Sequence, residues 1–141
     1  MDLSRFTEKA QDALVQAQNK AVQFQHTEVD VEHYLAALLE QEGGLIPRLF
    51  QKMGIPVLSF ISHLESELKR KPRVSGPGIE PGKVYLTNRL SQIFVKAEAE
   101  AKRLKDEYVS VEHPVLSILE SEASGTLGKL FQQTGITYDK F

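Results

Sequence analysis

The stretch VDVEHYLAALLEQE at residues 29–42 returns 80 positions later as VSVEHPVLSILESE at residues 109–122. The same offset relates Thr7 to Thr87 and Ala17 to Ala97. After one inserted residue, LFQKMGI at residues 49–55 matches LFQQTGI at residues 130–136. A colinear series of matches through a whole unit is the signature of an internal duplication. The sequence therefore predicts two copies of one structural unit.

Apolar residues recur at steps of three and four along residues 6–24 and again along residues 86–104. This spacing predicts one amphipathic helix at the start of each unit. Thr7 and Thr87 precede polar first turns and are suited to cap these helices. A second helix is expected after Asp30 and after Ser110, both good N-cap residues.

Glycines mark the end of the third helix of each unit, at Gly54 and Gly135. A fourth helix is expected after Pro56, with a buried face made of Leu58, Ile61, Leu64 and Leu68. Strand signals are nearly absent. The predicted fold is all-α, with two tandem four-helix repeats related by a pseudo-twofold axis and packed into one domain.

Domain boundaries follow from composition. Residues 1–69 form the first repeat, residues 70–85 form a linker rich in proline, glycine and charge, and residues 86–141 form the second repeat. The fourth helix of the second repeat would begin near Thr137, yet the sequence stops at Phe141. We therefore expect its last helix to be truncated and the chain to be part of a longer protein.

Composition excludes several classes of function. The 141 residues carry a net charge of −2, with 41% hydrophobic and 26% charged residues, as in a globular protein. A nucleic-acid binder would need a basic excess. No apolar run approaches the roughly 18 residues of a membrane-spanning helix. With no cysteine, disulfides and thiolate chemistry are impossible, and a cytoplasmic location is expected.

No catalytic or metal site is predicted. Gly82 and Lys83 superficially resemble a phosphate loop, but Pro77 stands where its first glycine belongs and Val84 follows the lysine. The pairs Glu32-His33 and Glu112-His113 lack a nucleophile and further metal ligands. Their histidines are expected to be structural, so the chain is interpreted as a non-catalytic domain.

Glu32 and Glu112 occupy the second position of their helices and have two interpretations. A carboxylate is favourable at the positive end of a helix without any ligand. Alternatively, each glutamate forms a small acidic site with the helix start of its unit at Thr7 or Thr87. Apolar residues at the ends of the first helices, among them Leu3, Phe6, Tyr108 and Val109, are either core or the rim of a groove for extended peptide.

Four segments carry a resemblance to a known family: FTEKAQDAL, TEVDVEHYLAALLEQEGG, PRVSGPG and KRLKDEYVSVEH. Together they resemble the N-terminal (Clp N) domain of the Clp/Hsp100-type AAA+ ATPases, over essentially the whole chain. The longer Pro/Gly linker and the EGG after the second helix are similar to the disaggregase chaperones of that family, rather than to its protease-linked members.

The resemblance implies a substrate-docking domain, without cofactor of its own, on a hexameric chaperone that uses ATP and magnesium elsewhere. That machine would extract unfolded or aggregated proteins together with the DnaK chaperone system. The resemblance transfers the substrate-binding role to Thr7, Asp106 and Glu112, beside Leu3, Phe6 and Val109. The alternative is that the parent protein is a protease-linked unfoldase. An adaptor or phosphoarginine would then bind at paired sites formed by Thr7, Glu32, Thr87 and Glu112. A purely architectural helical spacer also remains open.

Overall fold

The computed structural model describes residues 3–72, 85–121 and 126–135. This part of the chain contains seven helices and two very short strands. They are α1 (Glu8–Gln23), β1 (Glu28–Val29), α2 (Val31–Leu39), α3 (Leu45–Lys52), α4 (Val57–Lys69), β2 (Tyr85–Leu86), α5 (Asn88–Arg103), α6 (Glu112–Ser121) and α7 (Thr126–Thr134). The all-α prediction is confirmed. Most of the predicted linker and the expected start of an eighth helix lie outside the described residues.

The first helix of each repeat begins as the sequence indicates. Thr7 accepts a hydrogen bond from the backbone N–H of Ala10 at 3.3 Å, and Thr87 accepts one from that of Leu90 at 3.0 Å. Both threonines have extended backbone angles, as N-cap residues do. The side-chain oxygen of each threonine thus satisfies one of the amides that a helix start leaves unpaired.

The same two helices also end alike, in a left-handed residue. Gln25 has φ 60° and Lys105 has φ 61°. The next backbone N–H, of His26 or Asp106, donates to the carbonyl of Ala21 or Ala101 at 2.8 Å. This pattern is a Schellman motif. It places His26 and Asp106 at equivalent points, directly before the segments that lead into α2 and α6.

One hydrophobic core runs through both repeats. Phe94 of α5 packs edge-on against Phe6, with ring centroids 5.5 Å apart, and against Tyr34 of α2 at 4.9 Å. Phe60 of α4 stacks on Phe131 of α7 at 6.0 Å. These aromatic contacts join the two repeats into one packed body.

Two details differ from the sequence-based expectation. Leu58 was expected to face the core but is 84% exposed, and Phe60 takes its place beside Ile61, Leu64 and Leu68. The predicted period was right for helix α4, but the stripe begins at Phe60. The strands were missed because each contains two residues, too few to form a periodic signal.

Candidate functional site

The two repeats meet at two equivalent junctions. The first junction comprises Val29, Asp30 and Glu32 of the first repeat with Thr87 and Arg89 of the second. Here β1 and β2 pair in parallel, and the backbone N–H of Thr87 donates to the carbonyl of Val29 at 3.0 Å. Each junction therefore brings the start of a first helix against the start of a second helix from the opposite repeat.

The second junction comprises Thr7 of the first repeat with Val109, Ser110 and Glu112 of the second. Phe6 and Val109 form a parallel β-bridge. The backbone N–H of Thr7 donates to the carbonyl of Val109 at 2.9 Å, as Thr87 does to Val29. The structure thus brings Thr7 into direct contact with the segment that leads into Glu112 of the other repeat. The expectation that each glutamate lies beside the first-helix start of its own repeat is therefore wrong, because the helix starts pair across the repeats.

At each helix start a buried histidine accepts a backbone hydrogen bond. His33 Nδ1 accepts from the N–H of Asp30, and His113 Nδ1 accepts from the N–H of Ser110, both at 2.9 Å. In the first junction Asp30 Oδ1 also accepts from the N–H of Val31 at 2.8 Å. The histidines therefore serve as capping residues, which is the structural role that the sequence predicted for them.

Basic side chains fill the first junction. Arg89 Nη1 donates to both carboxylate oxygens of Glu32, at 3.0 and 3.1 Å. Lys71 Nζ lies 3.0 Å from Asp30 Oδ2 and 3.8 Å from Glu32 Oε1. Thr87 donates its hydroxyl to Asp30 Oδ1 at 2.9 Å. Both acidic side chains of this junction are therefore already paired within the chain.

The environment of the first junction also shifts two pKa values. Burial raises the pKa of Asp30, but the hydrogen bonds from Lys71 and Val31 and the charge of Arg89 outweigh it, so the net pKa is lowered. Burial, together with the neighbouring His26 and Lys71, lowers the pKa of His33 to about 4. At neutral pH the junction thus holds a carboxylate and a neutral imidazole.

The second junction has a different charge balance. Glu112 is half-buried, and its carboxylate accepts a short hydrogen bond from the hydroxyl of Ser110. Within the described part of the chain, no basic side chain forms an ion pair with Glu112. The residue equivalent to Arg89 is Lys9, which is exposed on α1. The two acidic sites that the sequence made equivalent are therefore different in the folded protein.

Asp106 belongs to the second junction through His113. Its Oδ2 lies 2.8 Å from His113 Nε2, and its side chain is 48% exposed. In the first repeat the equivalent contact joins His26 Nδ1 to His33 Nε2, also at 2.8 Å. A continuous set of contacts therefore links Thr7, Glu112 and Asp106, the three polar residues singled out from the sequence.

The expected apolar lining is only partly available to a ligand. Phe6 is 5% exposed and Val109 is 1% exposed, so both side chains belong to the core. Leu3 is half-buried, whereas Tyr108 and Leu104 are exposed next to Asp106 in the chain. The parallel bridge between Phe6 and Val109 accounts for their burial, because it holds both residues in the core.

Four residues of these junctions were not predicted as site residues from the sequence: His26, Lys71, Arg89 and Ser110. Of these, Ser110 is the residue that donates a hydrogen bond to Glu112. The equivalence of His26 and Asp106 was available from the 80-residue offset. The approach of Lys71 to Asp30 was not, since the two are distant in sequence and their contact depends on how α4 packs. Within the described residues, no group of three or more His, Asp or Glu side chains is arranged to hold a metal ion.

Comparison with known proteins places this double repeat in a defined class. Residues 5–134 match the family model of the Clp repeat (R) N-terminal domain. The chain belongs to this family. Domains of the family are non-catalytic parts of larger chaperones. No helix in the described ranges combines the length and apolar character needed to cross a membrane.

Individual relatives agree with the family assignment. The chain is 48% identical over 140 residues to the chaperone protein ClpB of Nitratidesulfovibrio vulgaris strain Hildenborough, covering 99% of this chain and 16% of that protein. It also resembles the Hsp104 N-terminal domain from Candida albicans, with TM-score 0.78, 22% identity and coverage of 97% and 86%. A ClpV N-domain in complex with a VipB peptide has TM-score 0.78, 20% identity and coverage of 99% and 86%.

The chain spans about a sixth of the length of the ClpB proteins that it matches. The structural neighbours, at 22% identity or less, support the fold alone.

Proposed function

We propose that this domain docks unfolded or aggregated polypeptide for an ATP-dependent disaggregase chaperone, and that the second junction is the docking site. The observation that carries the proposal is the charge difference between the junctions. Glu32 is covered by Arg89 and Lys71, whereas Glu112 has no basic partner among the described residues. An acidic group left without its internal cation is available to a cation of another chain.

The surroundings of Glu112 fit an extended polypeptide. Thr7 is half-buried, and Tyr108 and Leu104 provide apolar surface nearby. Carboxylate and hydroxyl oxygens can accept hydrogen bonds from exposed backbone amides, and Tyr108 can contact apolar side chains. Because an unfolded chain loses conformational entropy on binding, we expect affinity on the order of micromolar or weaker.

The experiment is a fluorescence anisotropy titration with reduced, iodoacetamide-alkylated lysozyme, a basic polypeptide that stays unfolded. Glu112→Gln should weaken binding roughly threefold to tenfold, the loss of one charge-assisted contact. Glu120→Gln is the matched control, because it removes the same charge from an exposed position on the same helix. Equal affinities for the two variants would show that the docking site lies elsewhere.

A phosphoarginine-binding or adaptor-binding domain of a protease-linked unfoldase is the second candidate. The contact of Arg89 with Glu32 supports it, because it shows a guanidinium already seated at the equivalent acidic position. We expect a single ligand site in that case, at Glu112. Competition by free phosphoarginine, with free arginine as the control, distinguishes the candidates. Displacement of the unfolded chain only by phosphoarginine favours the second one.

For the parent protein we propose a homohexamer that uses ATP and magnesium in domains beyond this chain and cooperates with the DnaK system. The similarity to ClpB proteins over 99% of the chain supports this proposal. The absence of cysteine supports a cytoplasmic location.

A further inference from the structure

Two different side chains perform the same task in the two repeats. His33 and His113 each accept a backbone hydrogen bond at Nδ1, so the proton of each neutral ring lies on Nε2. That Nε2–H donates to His26 Nδ1 in the first repeat and to Asp106 Oδ2 in the second, at 2.8 Å in both. An imidazole and a carboxylate are thus interchangeable acceptors here.

Equivalent backbone geometry makes the exchange possible. His26 and Asp106 both follow a left-handed residue and both close a Schellman motif with a 2.8 Å hydrogen bond. His26 is buried, at 3% exposure, so its contact with His33 serves the fold of its own repeat. By equivalence, the contact of Asp106 with His113 has the same structural role in the second repeat.

We propose that Asp106 is a positioning residue: it orients His113, and through it Ser110 and Glu112, rather than contacting polypeptide by its charge. This inference rests on the proposed function of the second junction. His113 is 1% exposed and cannot reach a ligand itself. Its Nδ1 fixes the N–H of Ser110, whose hydroxyl in turn donates to Glu112.

The physical reason is the cost of a buried donor without an acceptor. If Asp106 is removed, the Nε2–H of His113 loses its partner. A change of tautomer or a rotation of the ring then becomes favourable. Either change breaks the hydrogen bond from the N–H of Ser110 to His113 Nδ1. The residue before Ser110 is Val109, whose carbonyl accepts from Thr7, so the disturbance extends across the junction. The position of Glu112 is then less well defined, and Glu112 binds a ligand more weakly.

Three substitutions at one position separate positioning from direct contact. Asp106→Asn keeps an acceptor oxygen for His113 without the charge, and Asp106→His recreates the pair that the first repeat uses. Asp106→Ala removes the acceptor. Titrated with the alkylated lysozyme, the Asn and His variants should bind within roughly twofold of the unsubstituted domain, and the Ala variant should bind roughly fivefold more weakly. Helicity is measured for each variant, and Asp106→Asn suffices if the larger histidine disturbs the fold.

A second measurement does not depend on any ligand. Nitrogen-15 NMR of the histidine rings reports which nitrogen of His113 carries the proton. We expect the Nε2–H tautomer in the unsubstituted, Asn and His proteins, and its loss in Asp106→Ala. Equal loss of binding in all three variants would overturn the proposal, and so would an unchanged tautomer in Asp106→Ala. If Glu112→Gln has no effect on binding, the proposed function fails, while the tautomer still tests the positioning role.

Discussion

Arg89 of the second repeat holds both carboxylate oxygens of Glu32 in the first repeat, at 3.0 and 3.1 Å. The Glu32 side chain is 7% exposed, and that of Arg89 is 33% exposed. A carboxylate this deeply buried needs its cation, because desolvation disfavours an unpaired charge. The pair therefore links the two repeats and neutralises one of the two junctions.

Removal of this cation should destabilise the fold. Among the described residues, Arg89→Met leaves Glu32 with Lys71 at 3.8 Å as its remaining cation. We expect the free energy of unfolding to fall by about 1–3 kcal/mol, less than for a fully buried pair because Arg89 is partly exposed. Urea denaturation measures the change. The matched control is Lys9→Met at the equivalent, exposed position, where we expect a change within about 0.5 kcal/mol. Equal effects of the two substitutions would contradict the assigned pairing.

The aromatic contact between the repeats should carry much of the stability. Phe94 is fully buried and meets both Phe6 and Tyr34. Phe94→Ala should lower the free energy of unfolding by about 3–5 kcal/mol, through lost burial and the cavity left behind. Val95→Ala, at the next position but 61% exposed, should change it by less than about 0.5 kcal/mol. If the protein unfolds in two separate transitions after either change, the picture of one shared core is wrong.

Acid should destabilise the domain in a defined range. Since the pKa of His33 is 6.5 when unperturbed and about 4 in the folded protein, the unfolded chain binds more protons between these values. The contribution of His33 to the free energy of unfolding is therefore fully present above pH 6.5. It is lost as the pH drops toward 4, which lowers the free energy of unfolding by roughly 2–3 kcal/mol. The lowered pKa of Asp30 adds a further loss below 3.8.

The variant His33→Gln isolates the histidine contribution, because glutamine at this position preserves the capping box with Asp30. Thermal unfolding measured from pH 7 to pH 4 should then depend much less on pH. His63→Gln, at an exposed position, should leave the dependence of the original protein intact. The assignment fails if both variants behave alike.

The left-handed residues at the ends of α1 and α5 offer a stabilising change. Gln25 and Lys105 are exposed and have φ near 60°, a conformation that glycine adopts without steric cost. Gln25→Gly should therefore raise the free energy of unfolding by about 0.5–1 kcal/mol. Gln16→Gly, an exposed position in the middle of α1, should lower it by a similar amount. A decrease for Gln25→Gly would show that its side chain makes a contribution that the backbone angle does not reveal.

The duplication, the helix starts and most of the core could be read from the sequence, because they depend on residues close together in the chain. Thr7 and Thr87 cap helices through amides three residues away. The predicted buried face of α4 was wrong at one position, because Leu58 fits the helical period as well as Phe60 does. Periodicity alone cannot decide which side of a short helix meets the neighbouring repeat.

The candidate site was only half predictable. Thr7, Asp106 and Glu112 were found through resemblance, and the structure joins them by hydrogen bonds through Val109, His113 and Ser110. The inward packing of Phe6 and Val109 was not predictable, because a two-residue bridge leaves no pattern in the sequence. The sequence does not distinguish an apolar residue at a helix end that belongs to the core from one that lines the rim of a peptide groove.

The sequence by itself determined that the chain is a helical double repeat, since duplication, capping residues and apolar spacing are local properties of the polypeptide. Only the tertiary structure decided that the two acidic junctions are unequal. Lys71 and Arg89 reach Glu32 from segments 39 and 57 positions away in the chain, and which cation reaches which carboxylate depends on the packing of α4 and α5. The strength of a charge contact is set by distance and burial in space, which no spacing along the chain encodes.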